Sequence, residues 1–279
     1  MNKYQVAGCV IAAILLVSVV YSIVSTALYR PKAVLELGYS REVVKEVARC
    51  KQSLVNLELK LKAGSVTVNC TSSKEFTCKV IFELKEDSED PVVKNASLGN
   101  TLMVTIFAED AEITVVLAKD LEYNLTLVVD VGRISLKLGE PLSVNLLNAT
   151  IKYAGRISIA LEGCKLNKAV LSVNVGAVTM RTKPSVLFGR QEVRINVKVG
   201  AAYVKPFRQT PSFGYAFNAT VDVGWIYVEK LGAKKFYERR DTLSIVSSNY
   251  GSVRNMLDLK VRVGLGAIVV SEAFLFSVE

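Results

Sequence analysis

The sequence predicts an all-β fold: a solenoid-like domain of stacked β-sheet repeats, preceded by one N-terminal transmembrane α-helix. Three observations lead there. Residues 7–28, AGCVIAAILLVSVVYSIVSTAL, carry no charge. Most of the remaining chain is written in short runs of apolar/polar alternation. Those runs recur around glycines spaced 21–24 residues apart.

The uncharged run is 22 residues long. At about 1.5 Å per residue a helix of that length spans about 33 Å, enough for a bilayer core. Lys3 precedes it, and Arg30 and Lys32 follow. A cleaved secretory signal is the rival reading, since Ser25-Thr26-Ala27 resembles a cleavage site. The apolar run is longer than the usual h-region of about 7–15 residues, which favours an uncleaved anchor. The expected organisation is a cytoplasmic stub and anchor over residues 1–32, then an extracytoplasmic β-repeat domain over residues 33–279.

Orientation rests on opposing signals. Lys3 stands against Arg30, Lys32, Arg41 and Lys45, a balance that would keep the larger domain in the cytoplasm. Five N-x-S/T sequons argue for export: Asn69, Asn95, Asn124, Asn148 and Asn218 all follow the apolar run and none precedes it. The cysteines agree. Cys9 lies in the apolar run, which leaves Cys50, Cys70, Cys78 and Cys164, an even number suited to an oxidising compartment. Cys70 and Cys78 flank TSSKEFT, which reads as a hairpin tip, so this pair is the first expected disulfide and Cys50 with Cys164 the second. The alternative is four free thiols.

Composition narrows the chemistry. Apolar residues make up 51% of the chain and charged residues 22%, a globular balance. The net charge of +9 favours anionic surfaces, or simply keeps the domain soluble. There is no histidine, which excludes Ser-His-Asp and Cys-His catalysis and most zinc sites. The glycines are scattered rather than gathered into a phosphate-binding loop, and the basic residues form no nucleic-acid motif. No cofactor and no nucleic-acid partner are expected.

The repeat reads apolar-x-apolar-x-(Val/Ala)-Gly-x-apolar-x-apolar. LTLVVDVGRISLKL carries it around Gly132, AVLSVNVGAVTM around Gly176 and VRINVKVGAAYV around Gly200. Gly64, Gly155, Gly224 and Gly264 centre further copies. Period-2 alternation means strands with one buried face. At the glycine the inward phase skips, as at a bulge or tight corner, where glycine tolerates positive φ and lets a neighbouring backbone come close. One continuous core is expected from Val129, Val131, Ile134 and Leu136 and their equivalents Val173, Val175, Val178, Val197, Val199, Val221, Val223 and Ile226. The Gly155 copy departs, with Ile151 and Tyr153 apolar where the others are polar, and predicts a local register change. Successive glycines from Gly132 to Gly224 lie 23, 21, 24 and 24 residues apart, a fixed period that points to stacked rungs.

The flanks are less regular. Residues 40–61 read as a further strand pair, or as a short helix at REVVKEVARC leading into a strand. EDSEDP is a polar turn, and residues 100–107 and 112–117 are strands. After Gly224 the next in-phase glycine, Gly264, comes 40 residues later. The extra length holds GAKKFYERRD, where Lys234, Lys235, Arg239 and Arg240 surround Phe236 and Tyr237. Excursions from a solenoid commonly carry binding sites. This one suits an acidic glycan or anionic lipid headgroup, through charge and ring stacking. Its alternative is a solvated loop, partly offset by Glu238 and Asp241.

EITVVLAKDLEYNLTLVVDVGRISLKL and LDLKVRVGLGAIVVSE resemble the adhesin-type and toastrack-type β domains over roughly residues 50–275. The resemblance implies a β-solenoid-like domain at a cell envelope and brings no catalytic residues with it. The resulting expectation is a membrane-anchored, non-catalytic binding or assembly domain, adhesin-like or envelope-sensing. Its partners would be the bilayer and an acidic glycan, anionic lipid or another envelope protein. Two alternatives come from other classes. One is a β-helical carbohydrate-active enzyme using paired carboxylates, for which Asp130 and Asp222 occupy the same repeat position. The other is a surface-filament subunit assembled by strand addition.

Overall fold

In the computed structural model, residues 39–49, 51–139, 142–182, 189–205, 213–229, 241–247 and 250–271 are described. The expected anchor and the Lys234–Arg240 cluster lie outside them, as does Cys50. Among the described residues there is no helix, hence none long and apolar enough to cross a membrane.

The described residues form twelve strands in one mixed sheet: β1 (Tyr39–Ala48), β2 (Leu54–Thr71), β3 (Phe76–Lys85), β4 (Val92–Leu98), β5 (Thr101–Ala118), β6 (Glu122–Gly139), β7 (Ser143–Glu162), β8 (Lys165–Thr182), β9 (Arg190–Lys205), β10 (Phe213–Glu229), β11 (Thr242–Val246) and β12 (Asn255–Ser271). The all-β expectation holds. The helix option at residues 41–50 does not, because REVVKEVA forms β1, an edge strand antiparallel to β3 that sets Val47 into the core.

Eight long strands run parallel in the order β5-β2-β6-β7-β8-β9-β12-β10. Each is bent once, into an N-terminal arm and a C-terminal arm. In β2 the N-terminal arm buries Leu57, Leu59 and Leu61, and the C-terminal arm buries Val66 and Val68. The step from Leu61 to Val66 is odd, so the alternation changes phase at the bend and both arms face one core. Residues 100–107 and 112–117, expected as separate strands, are the two arms of β5.

The bend is a column of glycines. Gly64 and Gly132 are register partners, as are Gly132 and Gly155, Gly155 and Gly176, and Gly176 and Gly200. The column then passes to Gly266 and ends at Gly224. A Cβ on Gly155 would lie 1.8 Å from the carbonyl oxygen of Gly132, and φ there is +157°. Each corner stacks in this way on the carbonyl of the strand before it. At the start of the column Gly64 stacks on Ala111 of β5, which has no bent strand beneath it and keeps a side chain. Two expectations are corrected here. Gly266, not Gly264, is the corner of β12, because Val263 pairs with Val197 and Leu265 with Val199. The residue just before the glycine points outward: Val131 is 45% exposed, Val175 36% and Val223 52%, and Val199 is half-buried. The other eight expected core residues are buried, including Val129, Ile134 and Ile226.

The predicted irregularity at Gly155 is present. Val129 pairs with Ile151 and Val131 with Ala154, so β7 carries one additional residue at its corner, and Tyr153 is exposed.

The stack does not follow chain order. β2 sits between β5 and β6, and β12 between β9 and β10. Antiparallel strands border the parallel array: β3 and β4 flank the two halves of β5, and β11 pairs with β10 over Ala216–Thr220. Near the β3 end the buried Tyr123 hydroxyl lies 2.9 Å from the carbonyls of Thr77 and Ala118. It thereby gives a polar anchor to otherwise apolar packing.

Candidate functional site

Bent strands with one shared core leave two outward faces. On the N-terminal arms, polar side chains stand in columns. Asn124 donates to Asn56 at 2.8 Å and Asn167 to Asn145 at 2.9 Å. Ion pairs on this side join Lys60 with Glu58 at 2.8 Å, Arg194 with Glu192 at 2.6 Å, Lys152 with Asp130 at 2.9 Å and Arg262 with Asp222 at 3.0 Å.

One depression opens there, about 480 Å³ in volume and lined by Asn167, Arg190, Glu192, Asp258 and Lys260. Glu192 and Asp258 are register partners on β9 and β12 and face the same side. Arg190 donates to Asp258 at 2.9 Å, and the Tyr250 hydroxyl donates to the same carboxylate. That carboxylate holds the Tyr250 hydroxyl above its ordinary range. The Arg194 hydrogen bond holds Glu192 below the usual carboxylate range. A glycosidase needs one carboxyl raised so that it can act as an acid, and Glu192 is shifted the other way. No local pattern marks this pair, because β12 reaches β9 out of chain order.

Asp130 and Asp222, the carboxylates read as a catalytic option, stay apart. They sit on β6 and β10 with four strands between them. Five strand spacings of about 4.8 Å are about 24 Å, beyond the ~5–9.5 Å of glycosidase pairs. Among the described residues no group of three or more His, Cys, Asp or Glu side chains could hold a metal.

The cysteines do not follow the hairpin reading. β2 and β3 are not paired; Cys70 and Cys78 are both register partners of Leu117, from opposite sides of β5. Two strand spacings, about 9.6 Å, separate them. This exceeds the ~7 Å that a disulfide bridges. None of Cys70, Cys78 and Cys164 is in a disulfide. Burial pushes the Cys164 thiol from its ordinary 9.0 up to about 12. Below pH 9 the folded and unfolded chains both keep this proton. Between 9 and about 12 only the unfolded chain releases it, so the contribution of Cys164 to stability falls as pH rises through that window. Alkylation at pH 8, followed by mass spectrometry, should label half-buried Cys70 in the native chain and Cys164 only after denaturant is added. Equal native and denatured rates at Cys164 would contradict this burial.

The five sequon asparagines all lie on strands. Asn95 and Asn218 are exposed; Asn69, Asn124 and Asn148 are half-buried on outward positions. Asn218 accepts a 2.8 Å hydrogen bond from Ser244.

No protein-family model and no curated protein matches the chain. Among solved structures it is similar to a candidate cell adhesion protein from Clostridium sporogenes, with 18% identity and a TM-score of 0.51. That match covers 83% of this chain and 98% of the other. A candidate adhesin from Bacteroides fragilis matches at 9% identity and TM-score 0.30, over 83% and 97% of the two chains. One from Parabacteroides distasonis matches at 10% and 0.31, over 84% and 98%. The Clostridium likeness is one of fold: a mostly-strand, all-β architecture shared along nearly the whole of that protein.

Proposed function

We propose that this chain is a membrane-anchored protein of the cell envelope, whose β domain is a non-catalytic binding or assembly module displayed outside the cytoplasm. The observation that carries this reading is the form of the described surface. One core is sealed inside the bent strands, and the outward side chains stand in flat columns across strands instead of converging on a reactive group. Such a surface suits extended ligands and partner faces more than a small substrate. Adhesion or envelope sensing fits it, in keeping with the fold shared with the Clostridium protein.

Topology provides the test. Protease added to intact cells should remove the β domain and leave a fragment containing residues 1–32 in the membrane. Full protection of the domain, with cleavage only after the cells are opened, would sink the reading.

A further inference from the structure

The C-terminal arms carry a second outward face, and its charges are arranged differently. Across β2, β6, β7, β8 and β9 one column reads Thr67, Ser135, Ser158, Thr179 and Tyr203, each the register partner of the next. The column continues through Val269 of β12 to Tyr227 of β10. Tyr227 packs edge-on against Trp225, with ring centroids 6.3 Å apart. The result is a hydroxyl stripe, half-buried except at buried Thr179, that ends in aromatic rings.

Cations flank this stripe on both sides. Arg133 and Arg156 are direct register partners on β6 and β7, and Arg181 and Lys205 on β8 and β9. Like charges placed opposite one another on neighbouring strands destabilise a sheet. The N-terminal arms also set Arg194 opposite Lys260, but there Glu192 pairs with Arg194, as carboxylates pair with Lys60, Lys152 and Arg262. On β6 to β9 the outward positions between Arg133 and Lys137, Arg156 and Ala160, Ala177 and Arg181, and Ala201 and Lys205 hold no acidic residue. Arg156 donates to Thr179 at 2.8 Å, which lays its guanidinium along the stripe, and its Nε is buried with no hydrogen-bond partner. Two like-charged pairs on neighbouring strands, with no carboxylate in the outward rows beside them, give the C-terminal arms a surface complementary to an anion that crosses several strands.

From this we infer that the outward face of the C-terminal arms binds an acidic polysaccharide. The chain would lie across the strands along the Thr67–Tyr203 column. Strands repeat every ~4.8 Å, comparable to the advance of an extended glycan per sugar. The half-buried hydroxyls of Thr67, Ser135 and Ser158 meet sugar hydroxyls, arginine and lysine meet uronate carboxylates, and Tyr203 and Tyr227 offer rings for stacking. The inference deepens the binding reading above and rests on it, by naming the ligand class and the face.

The test uses the full chain in zwitterionic detergent, with polygalacturonate as probe, dextran as neutral control and anionic lipid vesicles as the competing source of negative charge. Arg133, Arg156, Arg181 and Lys205 are replaced together by Ser. A matched variant replaces Lys60, Lys152, Arg194 and Arg262, which removes the same charge from the other face. Circular dichroism and melting confirm that both variants fold; if the first does not, Arg181→Ser with Lys205→Ser replaces it. Polygalacturonate should bind, weaken steeply with salt, and lose at least tenfold in affinity in the first variant while the second stays within about twofold. Dextran should not bind. Equal losses in both variants would reduce the effect to net charge and overturn the inference. So would no binding to polygalacturonate, or binding to vesicles alone, which would make the face a membrane contact. The protease experiment is independent of these results: an exposed domain without polysaccharide binding removes the ligand class and leaves the surface module standing.

Discussion

Gly155→Ala should unfold the domain or lower its stability by more than about 4 kcal/mol, among the largest effects available to a single methyl group. The added Cβ would stand 1.8 Å from the Gly132 carbonyl oxygen and 2.8 Å from its carbon. These are backbone atoms held by parallel pairing on both sides, so no side-chain rotation relieves the contact. Either β6 and β7 separate at the corner, breaking ladder hydrogen bonds, or the bend itself changes. Gly99→Ala is the control. Gly99 also has positive φ, +58°, but nothing lies within 4 Å of the Cβ position. Its cost should be the left-handed conformation alone, about 1–2 kcal/mol. Chemical denaturation of both variants measures the difference. Equal losses would mean that backbone conformation, and not stacking of one corner on the next, makes the column glycine.

How much of this was legible in the sequence follows from the same column. Alternation and glycine spacing identified strands, a corner and stacked rungs, because a period of two and an obligatory small residue leave direct marks on composition. The irregular corner of β7 was legible because Tyr153 breaks the polar pattern. The order of the strands was not. Every rung presents the same inward pattern and the same glycine, so β12 fits beside β9 as well as a sequence-adjacent strand would, and no local residue encodes which slot it takes. The candidate surface was hidden for the same reason. The Arg133–Arg156 and Arg181–Lys205 pairs arise from residues 23 and 24 apart, which only the register brings together. Where two glycines lie close, as in VGLGAIVV, the pattern could not say which one turns the chain, and the partner strand decides for Gly266.

Val129→Ala and Val131→Ala, two residues apart on β6, should give opposite outcomes. Val129 is 0% exposed and lies in the core, so its truncation removes apolar contact and leaves a cavity, at about 2–4 kcal/mol. Val131 is 45% exposed at the outer side of the corner, and Ala there should change stability by no more than about 0.5 kcal/mol. Simple alternation would bury both, because they share parity. The difference comes from where the phase change falls. The chain starts to turn after Val129, so the last inward residue of the N-terminal arm lies three before the glycine, and the next inward residue, Ile134, lies two after it. The pairs Val173 and Val175 on β8 and Val221 and Val223 on β10 repeat this arrangement. Truncation should therefore be costly at the first member of each pair and nearly silent at the second, in denaturant unfolding with unchanged m-value. Comparable losses at Val129 and Val131 would move the corner to the glycine itself and put the outward valines back into the core.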